Sequence, residues 1–269
     1  MTAGAAARRF RSLHEGATVL RLANAWDAAS ARLVEETGGR AVATSSAGVA
    51  WALGYPDGER LPLQRLLGVV GDLLSAVSIP VSIDLERGYS DDPERVAETV
   101  QRLAELGVAG VNLEDAALEP SLFARKLEAC RTRLGQAGLD LFLNARTDVF
   151  LRGAPRDGDG LAEVVRRARC YRDAGADGLF VPALYDRELV SEIASAVRLP
   201  LNVWPAPEQP DIDELATWGV RRVSVGPRLA LEALSLVRAN MLAFHGRATE
   251  TTSLTFAQVN ALLAQRRLA

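Results

Sequence analysis

Residues 80–115 read PVSIDLERGYSDDPERVAETVQRLAELGVAGVNLED, a complete strand–helix–strand unit in one stretch. Pro80–Asp84 and Gly110–Glu114 are short apolar runs of strand length. The residues between them carry apolar positions at helical spacing. Asp91-Asp92-Pro93 puts acids and a proline where a helix starts, and Gly107 stands where it stops. Both strands finish on acids, Asp84-Leu-Glu86 in the first and Glu114-Asp115 in the second.

Outward from this unit the same pattern repeats in both directions. Further strands are expected at Thr18–Ala23, Ala41–Ser45, Leu141–Arg146, Gly178–Pro182, Leu201–Trp204 and Val223–Val225, which makes eight in all. Several are continuous apolar runs, as parallel strands covered on both faces require. Helices are expected over Ala162–Ala174 and Pro210–Trp218, each followed by a glycine, Gly175 and Gly219. Eight βα units without a glycine-rich dinucleotide loop predict a closed (β/α)8 TIM-type barrel over a doubly wound open sheet. The whole of 1–269 is read as one domain, with an N-terminal helix in 1–16 and a C-terminal arm and helix in 247–269.

Composition narrows the function classes. The chain has 269 residues, 48% of them hydrophobic and 24% charged, which is ordinary for a globular domain with a sizeable core. A formal charge of -3 and 6% aromatics give no footprint for nucleic acid. No apolar stretch is long enough for a membrane span. The opening MTAGAAARRFRSLHEG lacks the apolar run of a secretory signal. Cys130 and Cys170 are far apart without a CxxC partner, so a disulfide framework and a zinc site are not expected, and a cytoplasmic location is. Both fall in helix patterns and are expected to pack; His14 and His245 are expected on terminal helices, structural or exposed.

In a (β/α)8 barrel the active site lies at the C-terminal strand ends. Those ends carry Thr44-Ser45-Ser46, Asp84-Leu-Glu86, Glu114-Asp115, Asn144-Ala-Arg146-Thr-Asp148 and Asn202. Asp84 and Glu86, two apart, would share one face of a strand. With Glu114 beside them, three carboxylates would repel strongly, and a hard divalent cation, Mg2+ or Mn2+, is the usual remedy. Arg146 suits bidentate binding of a substrate carboxylate, with an ion pair to Asp148 as its structural alternative. Ser45 and Ser46 before Ala47-Gly48 could cradle an anionic group, or simply form a small-residue turn.

The order and spacing of five segments resemble the isocitrate lyase/phosphoenolpyruvate mutase superfamily over nearly the whole chain. They are Asn24-Ala-Trp-Asp27, Thr44-Ser-Ser-Ala-Gly-Val49 with Gly54-Tyr-Pro-Asp57, Asp84-Leu-Glu-Arg-Gly-Tyr89, Gly110-Val-Asn-Leu-Glu-Asp115 and Asn144-Ala-Arg-Thr-Asp148. The resemblance implies Mg2+ surrounded by Asp57, Asp84, Glu86 and Glu114, some directly and some through water. It implies substrate binding by Trp26, Ser45, Ser46, Ala47, Gly48, Asp84, Arg146 and Asn202, with Arg146, Asp57 and Tyr89 as catalytic residues. It implies C–C or P–C chemistry next to a 2-oxo acid through an enolate, stabilised by the cation. It also implies a homodimer or homotetramer with C-terminal helices exchanged between subunits, Thr249–Leu254 serving as the connecting arm.

This chain departs from the family in its proton-transfer half. The lyase loop with Lys-Lys/Arg-Cys-Gly-His is replaced by Ala116–Lys126, which has no cysteine or histidine and is read as a lid loop. The mutase loop rich in lysine and asparagine is absent too. Glu86 is one methylene longer than the family's aspartate, and Pro182 stands where the lyases carry a glutamate. Proton acceptors are then Tyr89, Glu119 or a metal-bound water. The expected function is a Mg2+-dependent lyase on a small 2-hydroxy or 2-oxo di- or tricarboxylate. The alternatives are a phosphonopyruvate-type mutase or oxaloacetate decarboxylase, and an impaired 2-oxo acid binding protein.

Overall fold

The computed structural model describes residues 3–16, 18–117, 119–204, 211–247 and 253–264. In chain order its elements are α1 (Ala3–Ser12), β1 (Leu20–Leu22), β2 (Asn24–Ala25), α2 (Ala28–Glu36), β3 (Val42–Thr44), α3 (Ser46–Ala52) and α4 (Leu63–Ala76). Next come β4 (Val81–Asp84), α5 (Pro93–Leu106), β5 (Gly110–Glu114), α6 (Pro120–Gln136), β6 (Phe142–Arg146) and α7 (Gly158–Asp173). The remainder are β7 (Gly178–Val181), α8 (Arg187–Val197), β8 (Leu201–Val203), α9 (Ile212–Thr217), β9 (Val220–Ser224), α10 (Arg228–Phe244) and α11 (Phe256–Ala264).

All strand pairs are parallel, in the order β1-β9-β8-β7-β6-β5-β4-β3-β2. β1 and β2 are two halves of one strand interrupted at Ala23, whose carbonyl accepts from the Ala43 N–H at 3.1 Å. The first half pairs with β9 and the second with β3, so the nine segments close as the expected ring of eight.

The quoted stretch folds as its chemistry dictates. Asp92 caps α5 by accepting from the Glu94 N–H, Pro93 opens the helix, and Gly107 closes it at φ 102. Val96, Val100 and Leu103 are fully buried against the outward residues Val81, Ile83, Val111 and Leu113. The alternate residues, Ser82, Asp84, Asn112 and Asn144, turn into the barrel, with Asp84, Asn112 and Asn144 in register across three strands.

The N-terminal end of the barrel is plugged by α1 and the turn after it. Phe10 is fully buried, and a β-carbon on Gly110 would come within 2.8 Å of its ring, so this strand position needs glycine for close approach. The buried His14 ring stacks on Phe142 at 4.3 Å and its Nδ1 bonds the Phe10 carbonyl. Its role is structural, as expected. Arg222 is fully buried above this plug, donating to Asn112 Oδ1 at 3.1 Å with its guanidinium over Phe10.

One expectation changes. The stretch Ala116–Lys126 is not one lid loop: from Pro120 it is the first turns of α6, with Phe123, Ala124 and Lys126 buried. Proline at the first helical position and apolar residues at helical spacing are the signals of that helix. At the other end, α11 lies on α3 of the same chain. Asn260 Oδ1 accepts from Trp51 Nε1 at 2.8 Å and from the Asp57 N–H at 3.0 Å, and Phe256 packs edge-on to Trp51. The expected helix start at Pro210 and most of the arm Thr249–Leu254 lie outside the described residues. Among the described residues no helix is long and apolar enough to cross a membrane.

Candidate active site

At the C-terminal strand ends a cavity of about 240 Å3 opens. Its polar lining is Asn24, Ser45, Ser46, Asp57, Asp84, Asn112, Arg146 and Ser224. All but Asp57 come from a strand or the turn just after one, and Asp57 comes from the loop between α3 and α4 on the same side of the barrel.

β3 ends at Thr44, and Ser45 caps α3 by accepting from the Gly48 N–H at 3.3 Å. The first turn of α3 therefore faces the cavity, and the Ser46 N–H donates to Asp84 Oδ2 at 3.3 Å. Asp84 is also fixed through its own N–H, which donates to Thr44 Oγ1 at 2.8 Å. Asn24 bridges the closure of the barrel: its amide donates to the Thr44 carbonyl, and its oxygen accepts from Val225 and Gly226.

The three acids expected at the metal do not stand together as direct ligands. Among the described residues no three His, Cys, Asp or Glu side chains are grouped to hold one ion. The reason lies in the backbone. The strand ends at Asp84 and Glu86 adopts φ 51, so the alternation that would place both on one face has stopped. The Glu86 carboxylate accepts instead from the Glu59 N–H at 2.8 Å, while Glu59 accepts from the Tyr89 N–H at 2.7 Å. Glu114 turns to Arg146, with Nη1 to Oε2 at 2.8 Å. Arg146 also grips Asp148 through Nε at 2.7 Å and Nη2 at 3.2 Å, so the structural partner and the cavity-facing position coexist.

Asp148 is in turn held by a buried hub. Asp115 accepts from the Asp148 N–H at 3.1 Å, Thr147 Oγ1 at 2.7 Å, Arg167 Nη1 at 3.0 Å, Tyr171 OH at 2.6 Å and the Ala117 N–H at 2.7 Å. This fixes both the end of β6 and the turn at Ala116 and Ala117, which have φ 50 and 58.

The electrostatics show an excess of carboxylate. Burial first, and Asp84 next, push Asp57 up to about 6. Burial and the repulsion of Asp57, Asp84 and Glu114 push Glu86 up to about 9. Glu114 rises to about 7 by burial even beside Arg146, because Asp148, Asp84 and Asp57 crowd it. Burial works against the charge of Arg146, yet Glu114, Asp148 and Asp84 outweigh it and hold the guanidinium protonated. Asp57 Oδ1 is buried without a partner. An orphaned carboxylate oxygen among mutually repelling acids would fit a hard divalent cation, which would relieve their repulsion.

Several expected residues lie elsewhere. Ser45, Ser46, Ala47, Asp57, Asp84 and Arg146 line the cavity; Trp26, Gly48, Tyr89 and Asn202 do not. Gly48 is packed under Trp26, where a β-carbon on the glycine would lie 3.0 Å from the tryptophan Cβ. Asn202 is fully buried, accepting from Ser224 Oγ at 3.3 Å. Tyr89 is unsuited as a proton acceptor, since burial, Glu86 and Glu59 raise its phenol far above its ordinary value. Glu119 borders a small crevice behind Glu114, together with Lys126, whose ammonium donates to the Arg87 carbonyl at 2.9 Å. Cys130 is buried in α6 and its thiol is pushed up to about 12 by burial, which excludes it as a ready nucleophile. The polar residues missed from sequence are Asn24, Asn112, whose position two before Glu114 on the inward face was a usable signal, and Ser224. The other missed group is the apolar side of the cavity, Leu151, Phe180, Trp204, Pro227 and Phe256.

A (β/α)8 barrel with a carboxylate-rich mouth and an arginine held at a strand end has the form of a barrel enzyme whose polar site lies at the C-terminal strand ends. Sequence comparison assigns the chain within this class. The family model for phosphoenolpyruvate phosphomutase matches residues 10–245, and the chain belongs to that family. An uncharacterized protein of Mycobacterium tuberculosis (strain ATCC 25618 / H37Rv) is 36% identical over 221 residues, 81% of each chain. An oxaloacetate decarboxylase of Bradyrhizobium sp. (strain BTAi1 / ATCC BAA-1182) is 30% identical over 230 residues, 84% of this chain and 79% of that one. A provisionally named phosphonomutase from Burkholderia cenocepacia J2315 is 39% identical with a TM-score of 0.85, covering 91% of this chain and 99% of its own. The chain is thus an enzyme of the lyase and mutase superfamily that the sequence motifs pointed to.

Proposed function

We propose that the chain is a Mg2+-dependent carbon–carbon lyase that acts on a small 2-oxo or 2-hydroxy acid through an enolate. The observation that carries this reading is the orphaned Asp57 carboxylate oxygen beside Asp84, facing Arg146 in one cavity. Mg2+, when bound, supplies electron withdrawal from the oxo group. Asp57, from the loop after α3, and Asp84, from the end of β4, would hold the cation, with Glu86 and Glu114 as further carboxylates of the same acidic group. Arg146 binds the substrate carboxylate with the N–H groups that Asp148 and Glu114 leave available. Ser45, Ser46 and the first turn of α3 orient the oxygen on which negative charge develops. Glu114, ion-paired to Arg146, holds the guanidinium in place for its contact with the carboxylate.

A second reading, decarboxylation of a 2-oxo diacid, is supported by the likeness to the oxaloacetate decarboxylase. It asks less of a general base, since loss of CO2 needs chiefly electron withdrawal. Product analysis by NMR with Mg2+ separates the two. Release of a carbonyl fragment from a 2-hydroxy acid supports the first, and release of CO2 from oxaloacetate alone supports the second. No turnover of either class would contradict both and leave an oxo-acid binding protein.

The proposed homo-oligomer is supported by an apolar outer face on α10 and α11. Leu236, Met241, Phe244 and Leu262 are all more than half exposed there. Association of two copies through this face would cover it, and a monomeric mass by light scattering would contradict it. The proposed cytoplasmic location fits two free cysteines.

A further inference from the structure

Asn112 stands on the inward face of β5, in register with Asp84 on one side and Asn144 on the other. It borders the cavity and is otherwise buried. Two donors inside the barrel hold its amide: Asn144 Nδ2 reaches Oδ1 at 2.9 Å, and Arg222 Nη2 reaches the same oxygen at 3.1 Å. A guanidinium has N–H donors and no acceptor, so the atom it faces must be the amide oxygen. The two arms of the amide are thereby told apart. The nitrogen arm bonds no protein atom among the described residues, and it is not one of the side-chain atoms sealed in the core. Its N–H groups are left to the cavity that Asn112 borders.

Arg222 makes this arrangement costly. It lies on β9, fully buried, with its guanidinium over Phe10. Nε and Nη1 are buried without partners, and Nη2 spends its bond on Asn112. Burying a charge with so little compensation is unfavourable, and an apolar side chain of similar volume would fill the same space at lower cost. What an apolar side chain could not do is fix the amide. Turning Asn112 over would set N–H against N–H at both Arg222 and Asn144. In the low dielectric of the barrel core, the guanidinium also polarises the amide and strengthens its N–H groups as donors.

We propose that Asn112 is a substrate-binding donor in the floor of the cavity, and that Arg222 positions it from the barrel core. The inference rests on the oxo-acid reading above and deepens it. The bound acid presents an oxygen, oxo or carboxylate, to the Asn112 N–H groups. That contact falls on β5, the strand between those of Asp84 and Arg146. The floor therefore selects for an acceptor, since a ligand that places an N–H or a cationic group there meets donors only.

Calorimetric titration of oxalate into the full chain at saturating Mg2+ tests it, with Mg2+ alone titrated into each protein first. Asn112→Asp exchanges the nitrogen arm for oxygen and keeps an acceptor for Arg222 and Asn144. Its thermal melt is expected to be retained while oxalate binds at least about tenfold more weakly, the least that losing a hydrogen bond to a charged group costs. Asn112→Ala is expected to weaken oxalate by about 10- to 150-fold for the same reason. Arg222→Met, an exchange of buried charge for apolar volume that folds often tolerate, should weaken oxalate by about threefold to tenfold, the worth of one ordinary hydrogen bond. In the Asn112→Ala background Arg222→Met should add nothing, because a positioning residue acts through the group it positions. Arg222→Lys, which can also only donate, should recover part of the loss. Unchanged oxalate affinity in Asn112→Asp and Asn112→Ala would overturn the inference and leave the oxo-acid reading standing. An equal loss from Arg222→Met with and without Asn112 would overturn the positioning role. Failure of the unaltered chain to bind oxalate would overturn the oxo-acid reading and this inference with it.

Discussion

Arg146 is held by two carboxylates at once, and its value to the site comes from that restraint. Asp148 takes Nε and Nη2, Glu114 takes Nη1, and Asp115 fixes Asp148 from behind. The guanidinium is therefore placed before any ligand arrives, so little side-chain entropy remains to be lost on binding. Arg146→Ala should weaken oxo-acid binding by about 1.5–3 kcal/mol, the range for a hydrogen bond to a charged group, which calorimetry would read as roughly 10- to 150-fold. Arg146→Lys keeps the charge but loses the planar fork, and should recover only part of that loss. Unchanged affinity in Arg146→Ala would remove this residue from the site. The sequence placed Arg146 correctly because a barrel strand end is a predictable address. It misplaced Glu86, because a single left-handed residue after Leu85 cancels the alternation on which the reading depended.

At the level of elements, α11 acts as a clasp over the cavity mouth. Phe256 contributes to the wall, and Asn260 ties the helix to Trp51 and to the Asp57 backbone. Asn260→Leu removes the shared acceptor and leaves two donors unsatisfied, at a cost of about 1–3 kcal/mol for each buried donor. Because α11 lies outside the barrel ring, that cost should appear as faster proteolysis of the C-terminal segment and weaker ligand binding, with the main thermal transition nearly unmoved. A large drop in the main transition would show that α11 is part of the barrel's own stability. The βα units were legible from sequence through their caps, as α5 shows with Asp92, Pro93 and Gly107. The clasp was not, because hydrogen bonds between residues about 200 positions apart, Trp51 and Asn260, leave no periodic trace.

For the whole molecule the crowded acids make stability depend on pH. Glu86 and Glu114 stand at about 9 and about 7 in the fold against an ordinary value of 4.5. Between about pH 6.5 and about pH 8.5 the folded state thus binds more protons than the unfolded chain, and stability falls as pH rises. His14, lowered to about 3 by burial, gives the opposite slope, but only below its unfolded value of 6.5. Thermal melts of the metal-free protein should accordingly decline across that upper window, and Mg2+ should flatten the decline by favouring the ionised acids. A flat metal-free profile would mean that these carboxylates are not crowded in solution. The barrel itself was readable because its eight strands are continuous apolar runs, whereas the apolar wall was not, since Leu151, Phe180, Trp204 and Phe256 meet only after closure. The central claim, a cation-dependent oxo-acid site between Asp57, Asp84 and Arg146, is tested most directly by titrating oxalate into the protein with and without Mg2+. Saturable one-to-one binding with Mg2+, lost on chelation and restored by adding the ion back, is the predicted result; oxalate binding of equal affinity without the cation, or none with it, would contradict the account.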